Sequence, residues 1–310
     1  MNSVAKFPEF IKLDIKHKDE LREIASQFPS YSDFNFVSLF TWDTDGEVEI
    51  SDLHGNLVMK FTDYNDGSAF LTFLGTNELI ETIEKLLDYC KKNKLPEELK
   101  LIGHAIVEAI PQKQKINYII KEDRDNHDYI LSASNMSDIS NFHPKKRTKY
   151  NYFMREYGDK HVCKELKMDD PQTLQDIRQL LIDWQGLRGK ENKEIQREFT
   201  AIERCLNHAK ELNILGYGTY VDNKLIAFTL FELIHDKTAM LHYGKTDISH
   251  KGSNEHLQHN LAKYLKSLDV ELMNNEQDMG IEGLRKSKES SLPIYFLKKY
   301  TIEHTEKVLD

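Results

Sequence analysis

Glu276-Gln277-Asp278 puts two carboxylates just past an expected strand, Val270–Asn274. Gly280 and Gly283 permit a sharp turn, and Arg285, Lys286 and Lys288 then line a short expected helix over Gly283–Ser290. Groups leaving a strand beside a glycine turn can converge in a cleft. Amide formation needs a base that takes a proton from the attacking ammonium. It also benefits from a cation or an N–H donor at the oxyanion. Glu276 or Asp278 suits the first task. Arg285 or Lys288 suits the second, or holds a phosphate. The same spacing also describes a salt-bridged turn, since Arg285 and Glu289 are four apart on a helix, and pattern alone favours that turn.

Two further groups carry anion chemistry. Lys251-Gly252-Ser253-Asn254 precedes an expected helix, Asn254–Ser267. Free N–H groups at a helix start attract anions, and a glycine there lets a phosphate come close. An ordinary helix cap reads the same way. Lys145, Lys146, Arg147, Lys149 and Arg155 concentrate positive charge on an expected helix from Pro144 to Tyr157. Tyr150, Phe153, Met154 and Tyr157 form its buried face, with Lys145 and Lys149 opposite. Basic residues interleaved with aromatics can hold phosphates and stack bases. A solvated helix face is the alternative. In the polar run 121–128, Arg124 and Asp128 are possible contacts in an otherwise exposed turn. His256 and His259 are three apart on a helix, but no third ligand has metal spacing, so a solvated face is expected and no metal. Cys90, Cys163 and Cys205 show no activating pattern. The P-loop, the dinucleotide glycine motif and the serine elbow have no match.

The elements that must position these groups recur in a similar order in each half. Strands are expected at about 47–51, 57–64 and 69–74, with a hairpin turn at His54-Gly55-Asn56. A helix follows over Asn77–Lys92, capped by Asn77 and striped with Leu79, Ile83, Leu86 and Leu87. Strands at 99–103 and 129–132 complete that half. The segment 31–42 is ambiguous between helix and strand. The second half offers helices from Pro144, Pro171 and Lys193 (the last running to Asn213) and strands at 161–167, 214–221, 225–233 and 239–246. The helix Asn254–Ser267, the strand Val270–Asn274 and a last strand over Ile294–Tyr300 close it. Asp222-Asn223 reads as a two-residue hairpin turn. The halves meet within 133–144, giving an N-terminal lobe over 1–135 and a C-terminal lobe over 136–310 that carries the active site. The first lobe is expected to be mainly structural, since it lacks a glycine-marked anion turn like that at Gly252.

The chain has 310 residues, a formal net charge of −9 and three cysteines. That balance disfavours a protein that coats nucleic acid or docks stably on an anionic membrane. Met1–Phe10 does not read as a secretory leader, and no apolar run approaches the ~20 residues of a membrane helix. A cytoplasmic protein without a disulfide framework is expected.

The C-terminal order of hairpin, strand, helix, strand, short helix and strand resembles the acyl-CoA N-acyltransferase (GNAT) superfamily. Three segments narrow the likeness: Tyr31-Ser32-Asp33-Phe34 through Trp42; 120–130 continuing to Lys145-Lys146-Arg147-Thr148-Lys149; and Asn274 through Lys288. Together they resemble the soluble bacterial proteins grouped as DUF2156, which are similar to the C-terminal catalytic domain of phosphatidylglycerol lysyltransferases. The resemblance implies an α/β fold of two tandem GNAT-like lobes, each a mixed, mostly antiparallel sheet flanked by helices. It implies an acyltransferase that takes an aminoacyl group from aminoacyl-tRNA, its tRNA acceptor end a partner of the basic cluster. The acceptor would be a small molecule, a peptide or a lipid headgroup, with no tightly bound cofactor. GNAT enzymes hold coenzyme A pyrophosphate at the turn equivalent to Lys251–Asn254, so a coenzyme-A-dependent N-acetyltransferase is the alternative. The single glycine in Ser249–Asn254 departs from their usual pattern. A non-catalytic binding protein is the third reading.

Overall fold

A computed structural model describes residues 3–62, 67–188 and 193–305. Among the described residues, strands β1 (Ile11–Lys12), β2 (Glu49–Leu53), β3 (Asn56–Thr62), β4 (Ala69–Leu74), β5 (Glu98–Gly103) and β6 (Tyr118–Glu122) share one sheet. The helices of this stretch are α1 (Lys18–Ala25), α2 (Phe36–Trp42), α3 (Leu79–Lys92), α4 (His104–Ala109) and α5 (Gln112–Lys115). The chain continues through β7 (Asp128–Ser132), α6 (Ala133–Met136), α7 (Pro144–Tyr157), β8 (His161–Leu166), α8 (Pro171–Arg188), α9 (Lys193–Asn207) and α10 (Ala209–Leu212). It ends with β9 (Leu215–Val221), β10 (Lys224–Ile234), β11 (Thr238–Thr246), α11 (Ser253–Ser267), β12 (Leu272–Asn274), α12 (Glu282–Glu289), β13 (Tyr295–Leu297) and β14 (Lys299–His304).

Local chemistry explains the hairpins. His54 and Gly55 both take positive φ (59° and 83°), as do Asp222 and Asn223 (48° and 66°), which matches the twist of the flanking strands. After each three-stranded antiparallel meander the chain crosses through a helix to a parallel strand. β4 leads through α3 to β5, where Leu71 pairs with Leu99. β11 leads through α11 to β12, where Ala239 pairs with Met273. Leu257, Leu261, Ala262 and Leu265 of α11 pack on Phe231, Ala239 and Met273 of the second sheet. Ile83, Leu86, Leu87 and Cys90 of α3 form the buried stripe of the first crossover helix.

The sheet orders are β1-β2-β3-β4-β5-β14-β6 and β13-β7-β12-β11-β10-β9-β8. Each sheet therefore receives its sixth strand from the far half of the chain. β14 lies between β5 and β6, antiparallel to both. β7 lies between β12 and β13 in the other sheet. One compact unit accordingly holds the residues up to Asp128, Gln277–Gly280 and those from Leu297 onward. The other holds Tyr129–Glu276 and Ile281–Phe296.

Several elements differ from their sequence reading. The expected last strand, Ile294–Tyr300, is two strands in two sheets, because Lys299 is fully buried and belongs to the first sheet. Segment 31–42 is a 3-10 turn over Ser32–Phe34 followed by α2, whose cap is Asn35 accepting from Ser38 N at 3.1 Å. Asn77 is not a helix cap: Asn56 Oδ1 accepts its N–H at 3.0 Å, and α3 starts two residues later. The strand expected over 57–64 ends at Thr62, and Asp63 and Tyr64 lie outside the described residues.

Candidate functional site

Glu276 is held by its own backbone. Asn274, the last residue of β12, accepts the Glu276 N–H on its Oδ1 at 2.8 Å. Tyr129 donates its N–H to the Glu276 carbonyl at 3.1 Å and accepts that of Asn275 at 2.9 Å. Glu276 takes φ +52°, a left-handed conformation that costs a non-glycine residue on the order of 1 kcal/mol. Its carboxylate meets His242 Nδ1 on β11 at 3.2 Å. The other ring nitrogen, Nε2, lies 3.2 Å from Glu232 Oε1 on β10. Burial opposes the imidazolium charge, but the two carboxylates outweigh it and raise the His242 pKa to about 9. Both ring nitrogens then donate. The side chains of Glu232 and His242 are 3% and 1% exposed, against 20% for Glu276. Solvent therefore meets this Glu–His–Glu chain at its Glu276 end.

Asp278, two residues on, has a different environment. Its side chain is fully buried, 3.3 Å from Arg124 Nη1, and it accepts the Gly280 N–H at 2.9 Å. It anchors the turn, and of the two carboxylates only Glu276 is part-exposed. Gly280 takes φ +72°, and a Cβ there would sit 2.8 Å from Asp125 Oδ2. Nearby in the first unit is a polar knot that sequence reasoning missed. Lys299 is fully buried, donates to Asp128 Oδ1 at 2.8 Å and Gln277 Oε1 at 2.9 Å, and pairs with Asp33. Ser32 donates to Asp128 through both its N–H (2.8 Å) and its hydroxyl (2.5 Å). Burial works against the Lys299 charge, and the two aspartates more than compensate, so its pKa rises. Burial pushes the Asp33 carboxyl up, with Lys299 opposing. The available signal was the recurrence of Ser32, Asp33, Asp128 and Gln277 inside the three segments quoted above.

Arg285 and Lys288 both lie on α12 and are part-buried. Lys288 donates to the Asn275 carbonyl beside Glu276, and its amine sits 6.0 Å from the Tyr129 ring centroid. The structure thus brings Lys288 to the backbone of the Glu276 turn.

The anion turn and the basic helix meet each other. Gly252 takes φ +89°, and a Cβ on it would lie 2.1 Å from the Lys149 carbonyl oxygen of α7. Gly252 and Ser253 are buried, so the glycine makes room for α7 and not for a phosphate. A glycine in the first sheet's crossover is also tightly packed, against a side chain rather than a helix backbone. Gly75, between β4 and α3, would place a Cβ 2.1 Å from Asn56 Oδ1. Lys251 lies over the Tyr152 ring at 4.8 Å, and Arg155 lies 5.0 Å from the same ring. Lys149 pairs with buried Glu255 at 3.0 Å, and Asn254 accepts weakly from Gln258. Lys145, Arg147, Lys149 and Arg155 are exposed. Lys146 is not: it is buried, donates to Ser291 Oγ at 2.7 Å, and burial lowers its pKa to about 8. It lines a cavity of about 230 Å³ with Phe142, Asn135 and Leu292.

The family model for the phosphatidylglycerol lysyltransferase C-terminal domain matches residues 26–303. The chain belongs to this family. Its two seven-stranded mixed sheets with flanking helices are the mixed α/β class expected from the sequence. A protein of unknown function from Bacteroides thetaiotaomicron VPI-5482 shares 23% identity, with a TM-score of 0.77 over 96% of this chain and 99% of that one. The DUF2156 C-terminal domain of a lysylphosphatidylglycerol synthetase from Agrobacterium fabrum is 11% identical, with a TM-score of 0.62 over 93% and 92%. L-PGS from Bacillus licheniformis is 12% identical, with a TM-score of 0.59 over 99% and 95%. No curated protein matches. Among the described residues of this lysyltransferase-family chain, no helix is long and apolar enough to cross a membrane.

Proposed function

We propose that this chain is an acyltransferase that moves an aminoacyl group from aminoacyl-tRNA to an amine or hydroxyl acceptor. The observation that carries the reading is the Glu232–His242–Glu276 chain, which ends in one part-exposed carboxylate on a strained backbone. Glu276 takes the proton of the attacking amine or hydroxyl as the new acyl bond forms. The ester bond to the tRNA ribose breaks, and the ribose oxygen leaves with a proton. His242 and Glu232 act as positioning residues: they fix the carboxylate and hold its charge. The donor ester is already activated, so position and charge suffice without a covalent enzyme intermediate.

The turn before α11 bears on the choice of donor. The Lys149 carbonyl fills the space beside Gly252, which disfavours coenzyme A pyrophosphate at the start of α11. Tyr152, flanked by Lys251 and Arg155, and the exposed Lys145 and Arg147 favour a nucleic-acid end instead. Lys288, whose amine reaches the Asn275 carbonyl beside Glu276, or Arg285 on the same helix supplies a cation for the ester oxyanion. The family name directs the first acceptor trial to phosphatidylglycerol, with soluble amines beside it.

The test is a transfer assay with radiolabelled aminoacyl-tRNA, those acceptors, and acetyl-coenzyme A as a competing donor. Labelled product from aminoacyl-tRNA, lost by a factor of about 10²–10⁴ in Glu276→Gln with the fold intact, is the expected result. Equal turnover by Glu276→Gln overturns the base assignment. Product from acetyl-coenzyme A alone overturns the donor, and no product from either assigns the chain to a non-catalytic role.

A further inference from the structure

The sequence reading treats His256 and His259 as a solvated helix face. Both are in fact buried, at 1% and 7% exposure. His259 Nδ1 lies 3.3 Å from the Met136 carbonyl, which commits it to packing. His256 has other neighbours. β8 is the edge strand of its sheet, and residues two apart on a strand share a face. His161 and Cys163 are two apart, and their shared face meets α11 at His256. One ligand atom from each of the three lies within 4.8 Å of the other two. Cys163 Sγ is 3.8 Å from His256 Nδ1, and the two imidazole rings stand 4.5 Å apart and nearly perpendicular.

We propose that His161, Cys163 and His256 form a binding site for a soft divalent transition metal ion of the zinc class. Nothing in the acyl-transfer reading uses these residues, and the proposal stands apart from it. A thiolate with two imidazoles suits such an ion. Metal–nitrogen distances of about 2.0–2.1 Å and a metal–sulfur distance of about 2.3 Å put tetrahedral ligand atoms about 3.3–3.6 Å apart. The trio therefore closes by up to about 1.5 Å, and the Cys163–His256 pair by much less, which an edge strand bound on one side can absorb.

Outer partners are in place. The Tyr157 carbonyl lies 3.0 Å from His161 Nδ1, so it accepts that N–H and leaves Nε2 as the ligand atom. Phe153 stacks on the His256 ring at 4.3 Å, and Thr219 Oγ1 lies 3.5 Å from the sulfur. Asn260 donates its amide N–H to His256 Nε2 at 3.0 Å, so without metal the ring proton sits on Nδ1, toward Cys163. Binding moves that proton to Nε2, turns the Asn260 amide so its oxygen accepts, and releases the Cys163 thiol proton to solvent. The fourth position is left for a water or a ligand.

The test titrates the chelator-treated full chain with Co²⁺ and then Zn²⁺. One equivalent of Co²⁺ should bring up thiolate-to-cobalt charge-transfer absorption together with tetrahedral ligand-field bands, and one equivalent of Zn²⁺ should remove both. Cys163→Ser should abolish the charge-transfer absorption, and His161→Gln should weaken binding at least tenfold. His259→Gln should leave both signals unchanged. Should His161→Gln fail to fold, Cys163→Ser changes one atom and still reads the thiolate. No charge-transfer absorption in the unmodified chain, or absorption that survives Cys163→Ser, overturns the site and makes the trio a packed polar cluster.

Discussion

Gly252→Ala separates two accounts of the turn before α11. If the glycine were there to admit a phosphate, alanine would block a ligand and leave the fold nearly untouched. The structure argues otherwise. Gly252 takes φ +89°, where a Cβ costs on the order of 1 kcal/mol. That Cβ would also lie 2.1 Å from the Lys149 carbonyl oxygen and 3.1 Å from Phe153 Cβ. The first neighbour is backbone in the middle of α7 and must retreat by more than an ångström. Overpacking of this kind costs typically 1–3 kcal/mol. The expected loss is therefore about 2–4 kcal/mol, read as a lower urea midpoint at unchanged slope by far-ultraviolet circular dichroism. A companion titration with coenzyme A should show no saturable binding to either protein. A variant within about 0.5 kcal/mol of the parent, the range of an ordinary surface change, would refute the packing account and return the turn to an anion.

Two buried bases should give opposite pH slopes. His242, raised from 6.5 to about 9, contributes stability that is full below about pH 6.5 and is lost as pH rises to 9. That is worth about 3 kcal/mol, and His242→Gln should flatten this fall in urea midpoints taken across pH 6–9. Lys146, lowered from 10.5 to about 8, penalises the folded state below pH 8 and the penalty lifts as pH rises to 10.5. Lys146→Met should therefore raise stability at pH 7 by about 2 kcal/mol and remove the alkaline rise; a drop at pH 7 would show that its bond to Ser291 outweighs burial. Lys299→Met leaves Asp33 and Asp128 buried without their cation and should cost about 3–5 kcal/mol, visible as a large fall in melting temperature. Adding Asp128→Asn should recover part of that loss; strict additivity of the two changes would argue against a shared knot.

Periodicity and turn chemistry made much of the fold legible. His54-Gly55 and Asp222-Asn223 announce hairpins because only a few residue types accept positive φ at both positions. The α3 stripe is visible because its apolar residues recur every three or four places. Lys299 was hidden for a physical reason: a buried lysine breaks the apolar alternation that marks a strand, so two strands of different sheets read as one. The candidate site was legible in part. Glu276 stands out in the sequence from its place after a strand, but its hydrogen-bond partners do not, since His242 and Glu232 lie in β11 and β10, more than thirty residues upstream. Lys146 was misassigned to a solvated phosphate contact because charge alone places a lysine outside, whereas helical phase puts it near Tyr150 and Phe153.

The strand exchange has a consequence for synthesis of the chain. β5 and β6 leave the ribosome well before the strand that belongs between them, β14. For the span of nearly 180 residues from Glu122 to Lys299, the first sheet has a gap one strand wide, with unpaired edges on both sides. Such edges recruit foreign strands, and a nascent chain carries them for roughly 10–40 s at 5–20 residues per second. β6 blunts its exposed face with Lys121 and Glu122, charged gatekeepers suited to that wait. A stop codon shortly before residue 299 should therefore yield aggregates rather than a folded first sheet.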